Sequence, residues 1–315
     1  MEKVPSLALE ARESILNGLV LYERVSLAHL KMLIGCVSLL PGMKQGDQTT
    51  RPQLEKYLAK IARSPVEGLA QITYSRKVPF GRCNPCGGGL HNLKREIRQT
   101  LTHDSYVDID IVNAHPVILY QVCLRNAVPC PNLAEMVLKR EECLASVQKE
   151  YEVEREQAKK LFLILVYGGS FSSWASSAKT TKPPSLFLSS LKKEISTIAS
   201  LIHSLNKGME SILDTKKSTN ISARVLSLFL QEYEERILES AYSLCLREGV
   251  IQGGVAVLCA DGLMLEKCNY REGLLEEFSR SVLEEVGIGV KFSLKEMTDY
   301  YTDEQIVEAF SRNIY

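Results

Sequence analysis

Three aspartates and a spaced row of cations are the side chains in this sequence best suited to chemistry. In Tyr106-Val-Asp-Ile-Asp-Ile-Val-Asn-Ala-His-Pro116, Tyr106, Asp108 and Asp110 alternate with Val107, Ile109 and Ile111. Period-two alternation predicts a short strand with Asp108 and Asp110 on one face. A carboxylate left unpaired in a buried strand is costly, and a bound cation removes the cost. Oxygen ligands suit Mg²⁺. An ion pair or a solvated strand end would explain the same pair of aspartates. The third acid, Asp261, stands between two apolar runs in Val255-Ala-Val-Leu-Cys-Ala-Asp-Gly-Leu-Met-Leu-Glu266. Asp-Gly between apolar runs signals a tight hairpin, and a plain turn is the competing reading.

The cations lie in Arg155-x₃-Lys159-x₃-Leu163-x₃-Tyr167-Gly168. Steps of four on a helix place these side chains in one slowly drifting row. Two cations, an apolar residue and a tyrosine in that order could hold a triphosphate, a base and a sugar. Surface cations above a core Leu and Tyr would produce the same spacing. A second basic stretch carries Arg76, Lys77, Arg82, Lys94, Arg95 and Arg98 against the single acid Glu96, with Gly87-Gly88-Gly89 in its middle. That pattern suits contacts to a phosphate backbone, and equally a solvated basic loop.

The elements that must position these groups are mostly helical. Apolar spacing predicts helices over residues 7–30, 27–40 and 51–61, so the first 70 residues read as a helical module without chemistry. A helix follows the Asp110 strand over Val117–Cys123. Pro129 and Pro131 interrupt the chain, and one long charged helix is expected from Leu133 to Val166. Residues 170–189, rich in Ser, Thr, Lys and Pro, read as a loop. Helices are expected over 190–213, 225–246 and 271–286, a strand over 289–294, and a polar tail containing Tyr300 and Tyr301. Trp174, the sole tryptophan, is expected in the core.

With 315 residues and zero net formal charge, nothing global demands a nucleic-acid partner, so any basic surface is local. There is no apolar run of about 18 residues and no basic-then-apolar leader, which points to a soluble intracellular protein without a membrane partner. Nine scattered cysteines fit reduced core thiols. Cys83-Asn-Pro-Cys86 has only His91 as a further candidate zinc ligand, too few for a closed site.

Taken in order, Gly81-Arg82, Leu90-His91-Asn92-Leu93 through Arg98, Asp110, the Arg155–Gly168 row, Gln231 and Ala260-Asp261 resemble the family A DNA polymerases. The resemblance covers about residues 80–270. The helix motif is its most specific part. Phage-type single-subunit RNA polymerases share that motif and the two aspartates.

The resemblance implies an α/β (α+β) fold, mostly helical, with a small antiparallel palm sheet and helical fingers. It implies a helical N-terminal region over 1–79, then palm and fingers over 80–315, with fingers about 117–230. Asp110 and Asp261 would hold two Mg²⁺ ions (Mn²⁺ as a substitute), with Asp108 as an additional or alternative ligand. Arg155 and Lys159 would hold the triphosphate of a nucleoside triphosphate, and Lys159 could also protonate pyrophosphate. Leu163, Tyr167 and His115 would line the nucleotide. Arg82, Asn92, Arg98 and Gln231 would touch primer-template. The implied activity is template-directed DNA synthesis without a proofreading domain, with a protein partner supplying processivity. The alternatives are an RNA polymerase or primase-like enzyme on the same palm, and an inactive polymerase-derived nucleic-acid-binding protein.

Three departures from the family pattern stand out. His115 occupies the position of the family's Glu five residues after the first aspartate. Leu163 replaces an aromatic residue, and Ala260-Asp261-Gly262 replaces His-Asp-Glu. His115 is bulky enough to exclude a 2′-hydroxyl beside Tyr167, which tilts the expected substrate toward deoxynucleotides. It could equally satisfy turn backbone groups ahead of Pro116.

Overall fold

The computed structural model describes residues 4–42, 49–213 and 220–312. Seven strands are described: β1 (Val20–Arg24), β2 (Leu69–Ser75), β3 (Asn84–Pro85), β4 (Tyr106–Ile111), β5 (Ala256–Cys259), β6 (Gly262–Glu266) and β7 (Phe292–Lys295). Among them run the helices α1 (Leu27–Cys36), α2 (Thr50–Arg63), α3 (Arg95–Thr102), α4 (Ala114–Arg125), α5 (Pro131–Leu138), α6 (Arg140–Tyr151) and α7 (Arg155–Val166). They continue with α8 (Phe171–Ala178), α9 (Leu186–Leu205), α10 (Lys207–Ser211), α11 (Ile221–Arg247), α12 (Leu274–Val286) and α13 (Asp303–Arg312). The fold is mostly helical with small antiparallel sheets, as expected.

β4 is a central strand. The four-stranded sheet runs β5-β6-β4-β7, with every pairing antiparallel. Asp110 faces Gly262 on one side and Ser293 on the other. Pairing on both edges explains why the carboxylates of Asp108 and Asp110 are buried with the strand. Asn113 then takes a left-handed conformation, φ 54° and ψ 45°, which Asn tolerates better than most residues. It turns the chain directly into α4, whose third residue is Pro116; proline is tolerated in a first helical turn, where no intrahelical N–H is lost.

Four expectations are corrected. Residues 1–79 are not purely helical, because β1 and β2 form an antiparallel pair there. Val20–Arg24 buries Leu21 and Glu23 in alternation, so a period of two overrides the helical spacing read across residues 7–30. The helix expected over 133–166 is three helices, α5 to α7. One break falls at Lys139 and the other after Glu152, whose left-handed backbone ends α6. Residues 171–178 form α8, capped by the Ser170 hydroxyl, which accepts from Ser173 N; the serines there act as a helix start. The polar tail ends in α13, which buries Ile306 and Ala309 against α1. Trp174 is fully buried, and its indole N–H donates to Gln157 O at 2.9 Å.

α11 is the long central helix, packed against α4, α9 and α12. It carries three buried glutamates, Glu232, Glu234 and Glu235. Glu232 accepts from Arg12 Nε at 2.7 Å, Arg76 Nη1 at 2.9 Å and Gly81 N at 3.1 Å. Glu235 accepts from Ser14 Oγ at 2.6 Å and Cys83 N at 3.1 Å. The basic stretch from Arg76 to Cys83 is therefore fastened to α11, and Arg76 is neutralised inside the protein.

Glu23, on β1, is fully buried. Its Oε2 accepts from Leu90 N at 2.9 Å, the Tyr57 hydroxyl and the Lys60 ammonium stand near the carboxylate, and a Cβ at Gly89 would stand 2.8 Å from Oε1. Burial, offset in part by the Leu90 amide, pushes its carboxyl up to about 7. A raised carboxyl favours the folded state fully below its unfolded value, and that contribution is lost as pH rises through about 7. Glu23→Gln is expected to stabilise the protein at pH 8 by up to ~3 kcal/mol, with the difference closing near pH 5. Urea unfolding at the two pH values reads this; an equal effect at both would refute the burial account.

Candidate active site

β4, the β5–β6 turn, α4, α6, α7 and α11 converge on one cavity of about 380 Å³. Asp110 comes from the end of β4 and Asp261 from the turn between β5 and β6. Ile111 N donates to Asp261 O at 2.8 Å, tying the two acid-bearing segments together. Gly262 makes the approach possible: a Cβ there would lie 1.9 Å from Ile109 O and 2.9 Å from Asp110 Cα. Both aspartates line the cavity. Asp261 is held above the usual carboxylate range, first by burial and then by the charge of Glu234, with His115 and Arg82 pulling the other way. Lys295 Nζ contacts Asp110 Oδ2 from β7.

The opposite wall is α7. Lys159, Leu163 and Tyr167 line the cavity, with Lys159 Nζ 2.5 Å from Glu156 Oε1. The Tyr167 hydroxyl bonds His115 Nδ1, and the two rings meet edge to face at 5.4 Å between centroids. Arg82 also lines the cavity, its Nη1 2.9 Å from Glu234 Oε2. Asp110, Asp261, Arg82, His115, Lys159, Leu163 and Tyr167, named from distant parts of the chain, thus share one space.

Other sequence candidates lie elsewhere. Arg155, expected on the triphosphate, turns to Glu141 at 2.7 Å and does not line the cavity. The helix break after Glu152 starts α7 at Arg155 itself, where the side chain meets the neighbouring helix α6. Asn92 caps a glycine turn by accepting from Gly89 N at 3.1 Å. Gln231 donates to Ser227 Oγ at 3.3 Å, one turn back on α11. Arg98 is half-buried near Lys295, with its Nε unpartnered. Asp108 is buried one pleat behind Asp110, and its Oδ1 has no hydrogen-bond partner. Cys83 Sγ donates to Ser14 Oγ, and Cys86 Sγ lies against Ser75 Oγ.

Three charged cavity residues carry no candidate role in the sequence reading. Lys295 is brought in by β7 and Arg140 by the start of α6. Glu234 is brought in by α11; the only sequence signal was an acidic cluster inside an otherwise apolar helix. Arg140 makes no hydrogen bond or ion pair among the described residues, and burial lowers the proton affinity of its guanidinium.

The residues present fit a hard divalent cation. Asp110 and Asp261 offer only oxygen, and the unpartnered oxygen of Asp108 adds to the negative field beneath them. Among the described residues no group of three or more His, Cys, Asp or Glu side chains is placed to hold a metal. Two carboxylates, one of them in contact with Lys295, could serve Mg²⁺, an ion that keeps waters and substrate phosphates as ligands. Among the described residues no helix is long and apolar enough to cross a membrane.

No protein-family profile matches the chain. Among curated proteins, a Sputnik virophage protein named "Putative helicase V13" is 29% identical over 292 residues, which is 88% of this chain and 36% of that protein. The chain thus spans about a third of the relative's length. Among solved structures, the POL domain of Pol1 from M. smegmatis, in complex with DNA primer-template and dNTP, is similar with a TM-score of 0.47 and 12% identity. That match covers 80% of this chain and 51% of the other, and a likeness of this size carries no argument about function.

Proposed function

We propose that this chain is a template-directed nucleotidyltransferase that extends a DNA primer with deoxynucleotides. The observation that carries the reading is the convergence of Asp110 and Asp261, through the Ile111–Asp261 backbone bond, opposite Lys159, Leu163 and Tyr167. The primer 3′-hydroxyl gives its proton to solvent as its oxygen bonds the α-phosphorus, the bond from the α-phosphorus to the oxygen bridging to the β-phosphate breaks, and pyrophosphate leaves. Asp110 and Asp261 would hold Mg²⁺, which when bound would supply charge stabilisation to the transfer. The chain's own residues do the rest: Lys159 and Arg140 bind the triphosphate, Leu163 packs on the base, and His115 with Tyr167 borders the sugar. In this scheme Lys159 leaves its ion pair with Glu156 and gives a proton to the departing pyrophosphate.

Arg140 takes the place that the helix motif assigns to Arg155. Arg140→Ala is expected to raise KM for the nucleotide about 10- to 100-fold, the worth of a charge-assisted hydrogen bond. Arg155→Ala should change it less than about threefold, since its partner is the exposed Glu141. Steady-state kinetics on both variants reads the order, and a larger effect at Arg155 would reverse the assignment.

A helicase activity, which the relative's name raises, would need a nucleotide-binding Gly-Lys-Ser/Thr loop, and no Gly-Lys pair occurs in this sequence. Primer extension with Mg²⁺, comparing deoxy- and ribonucleotides on a DNA primer-template, tests the proposal. Extension with deoxynucleotides is expected. Preferred use of ribonucleotides would favour the RNA polymerase reading. Tight duplex binding without extension would move the protein to the nucleic-acid-binding class.

A further inference from the structure

Behind His115 and Tyr167 stands a charged group for which the reaction scheme has no use. Glu234 is one of the three glutamates that α11 buries. Glu232 and Glu235 fasten the Arg76–Cys83 segment, whereas Glu234 reaches the cavity. Its side chain is 3% exposed. The two carboxylate oxygens face different partners. Oε2 accepts from Arg82 Nη1 at 2.9 Å, and Oε1 stands 3.2 Å from His115 Nε2. Among the described residues Nε2 makes no hydrogen bond, so Glu234 Oε1 meets it as a close charge, and Nδ1 is engaged by the Tyr167 hydroxyl. A carboxylate held out of water between an arginine and an imidazole is expensive to maintain, and an apolar residue there would cost less.

The two ring nitrogens of a histidine are not equivalent, and the group facing one of them decides the role of the other. A carboxylate beside Nε2 keeps the proton there. Nδ1 is then left with a lone pair that can only accept, and the donor that meets it is the Tyr167 hydroxyl. The ring and the phenol are thereby locked into one surface. Resting on the nucleotidyl-transfer reading, we propose that Glu234 is a positioning residue for sugar selection. It holds His115 and Tyr167 as a fixed wall against the 2′ side of the incoming nucleotide, and it anchors Arg82 beside them. Glu234 touches neither sugar nor phosphate in this scheme and acts through His115.

Discrimination, the ratio of kcat/KM for a deoxynucleotide to that for its ribonucleotide, is the readout. Glu234→Ala is expected to lower it about tenfold or more, because a loosened wall admits the 2′-hydroxyl. Glu234→Gln, which retains an oxygen facing Nε2, should keep most of it. Adding Glu234→Ala to His115→Ala should change discrimination less than about twofold, since residues acting through one another are not additive. A second readout needs no substrate. The ¹⁵N shifts of the His115 ring should show Nε2 protonated and Nδ1 bare in the parent and mixed tautomers in Glu234→Ala. If Glu234→Ala lowers only kcat or thermal stability and leaves discrimination unchanged, the inference is wrong and the polymerase reading stands. If the parent uses neither sugar, that reading fails and the sugar-selecting role with it. The ring spectra still decide whether Glu234 positions His115, and an unchanged spectrum in both Glu234 variants would overturn that too.

Discussion

Exchanging either Asp110 or Asp261 for Asn is expected to cut primer extension by at least ~10³-fold, a loss of ~4 kcal/mol of transition-state stabilisation. The two substitutions should differ from general damage in what they do to stability. Asp261 is held above its ordinary range by burial, so the neutral amide removes a charge that the fold disfavours. Thermal unfolding of Asp261→Asn should occur at the parent's midpoint or above it. Asp110 meets Lys295, whose side chain is 48% exposed, so losing that pair should cost no more than ~1 kcal/mol. Loss of activity without loss of stability is the signature of a functional carboxylate. Parent-like extension by either variant would dispose of the two-carboxylate scheme. The same raised proton affinity sets a direction for pH. Extension should fall as pH drops through a value above the ordinary carboxylate range, because a protonated Asp261 cannot hold a cation.

Gly262→Ala is expected to have the largest effect on stability of any single methyl group added near the site. The new Cβ would sit 1.9 Å from Ile109 O and 2.9 Å from Asp110 Cα, both backbone atoms. β4 cannot retreat freely, since its other edge is paired with β7 at Ile109 and Asp110. Forcing atoms into a packed region costs about 1–3 kcal/mol where side chains can adjust, and more where backbone must move. A loss above ~3 kcal/mol in urea unfolding is therefore expected. The residue displaced is Asp110, so the fraction that stays folded should also lose extension. Gly249→Ala is the control: its φ of +65° is unfavourable to alanine, yet no atom lies within 4 Å of the new Cβ. It should cost only about 1 kcal/mol and leave activity unchanged. A Gly262→Ala protein as stable as the parent would mean that β4 and β6 do not pair as described. The clash also gives a physical reason why Gly stands after Asp261 where the family pattern has Glu: this backbone leaves no room for a side chain.

Much of the site was legible because its signals are local. The β4 alternation, the Asp-Gly hairpin and the four-residue steps of α7 each depend on residues a few positions apart. Such signals point to Asp108, Asp110, Asp261, Lys159, Leu163 and Tyr167, whereas His115 stands out only through the family resemblance. Arg82 was reached through its Gly-Arg context. Arg155 lies outside the cavity although it shares the row, because a helix pattern says which side chains align and not where the helix begins. The Glu152 break puts Arg155 on the first turn of α7, beside Glu141 of α6. β1 is hidden within residues 7–30, where apolar residues satisfy a helical spacing while Leu21 and Glu23 bury with period two.

What the sequence determined by itself is the local chemistry: a carboxylate-bearing strand, a carboxylate-bearing turn, a cation-bearing helix, a mostly helical chain with short strands, and zero net charge. Those follow from backbone periodicity and turn preference, which act over one or two turns of chain. Tertiary structure alone decided the pairing of β4 with β6 through the gap that Gly262 leaves. It alone turned the Arg76–Cys83 stretch inward onto the α11 glutamates, and brought Arg140, Lys295 and Glu234 into the cavity. Burial and charge pairing across long sequence separations decided these. They depend on the low polarity and close packing created only when the elements meet, and no spacing in the chain encodes them.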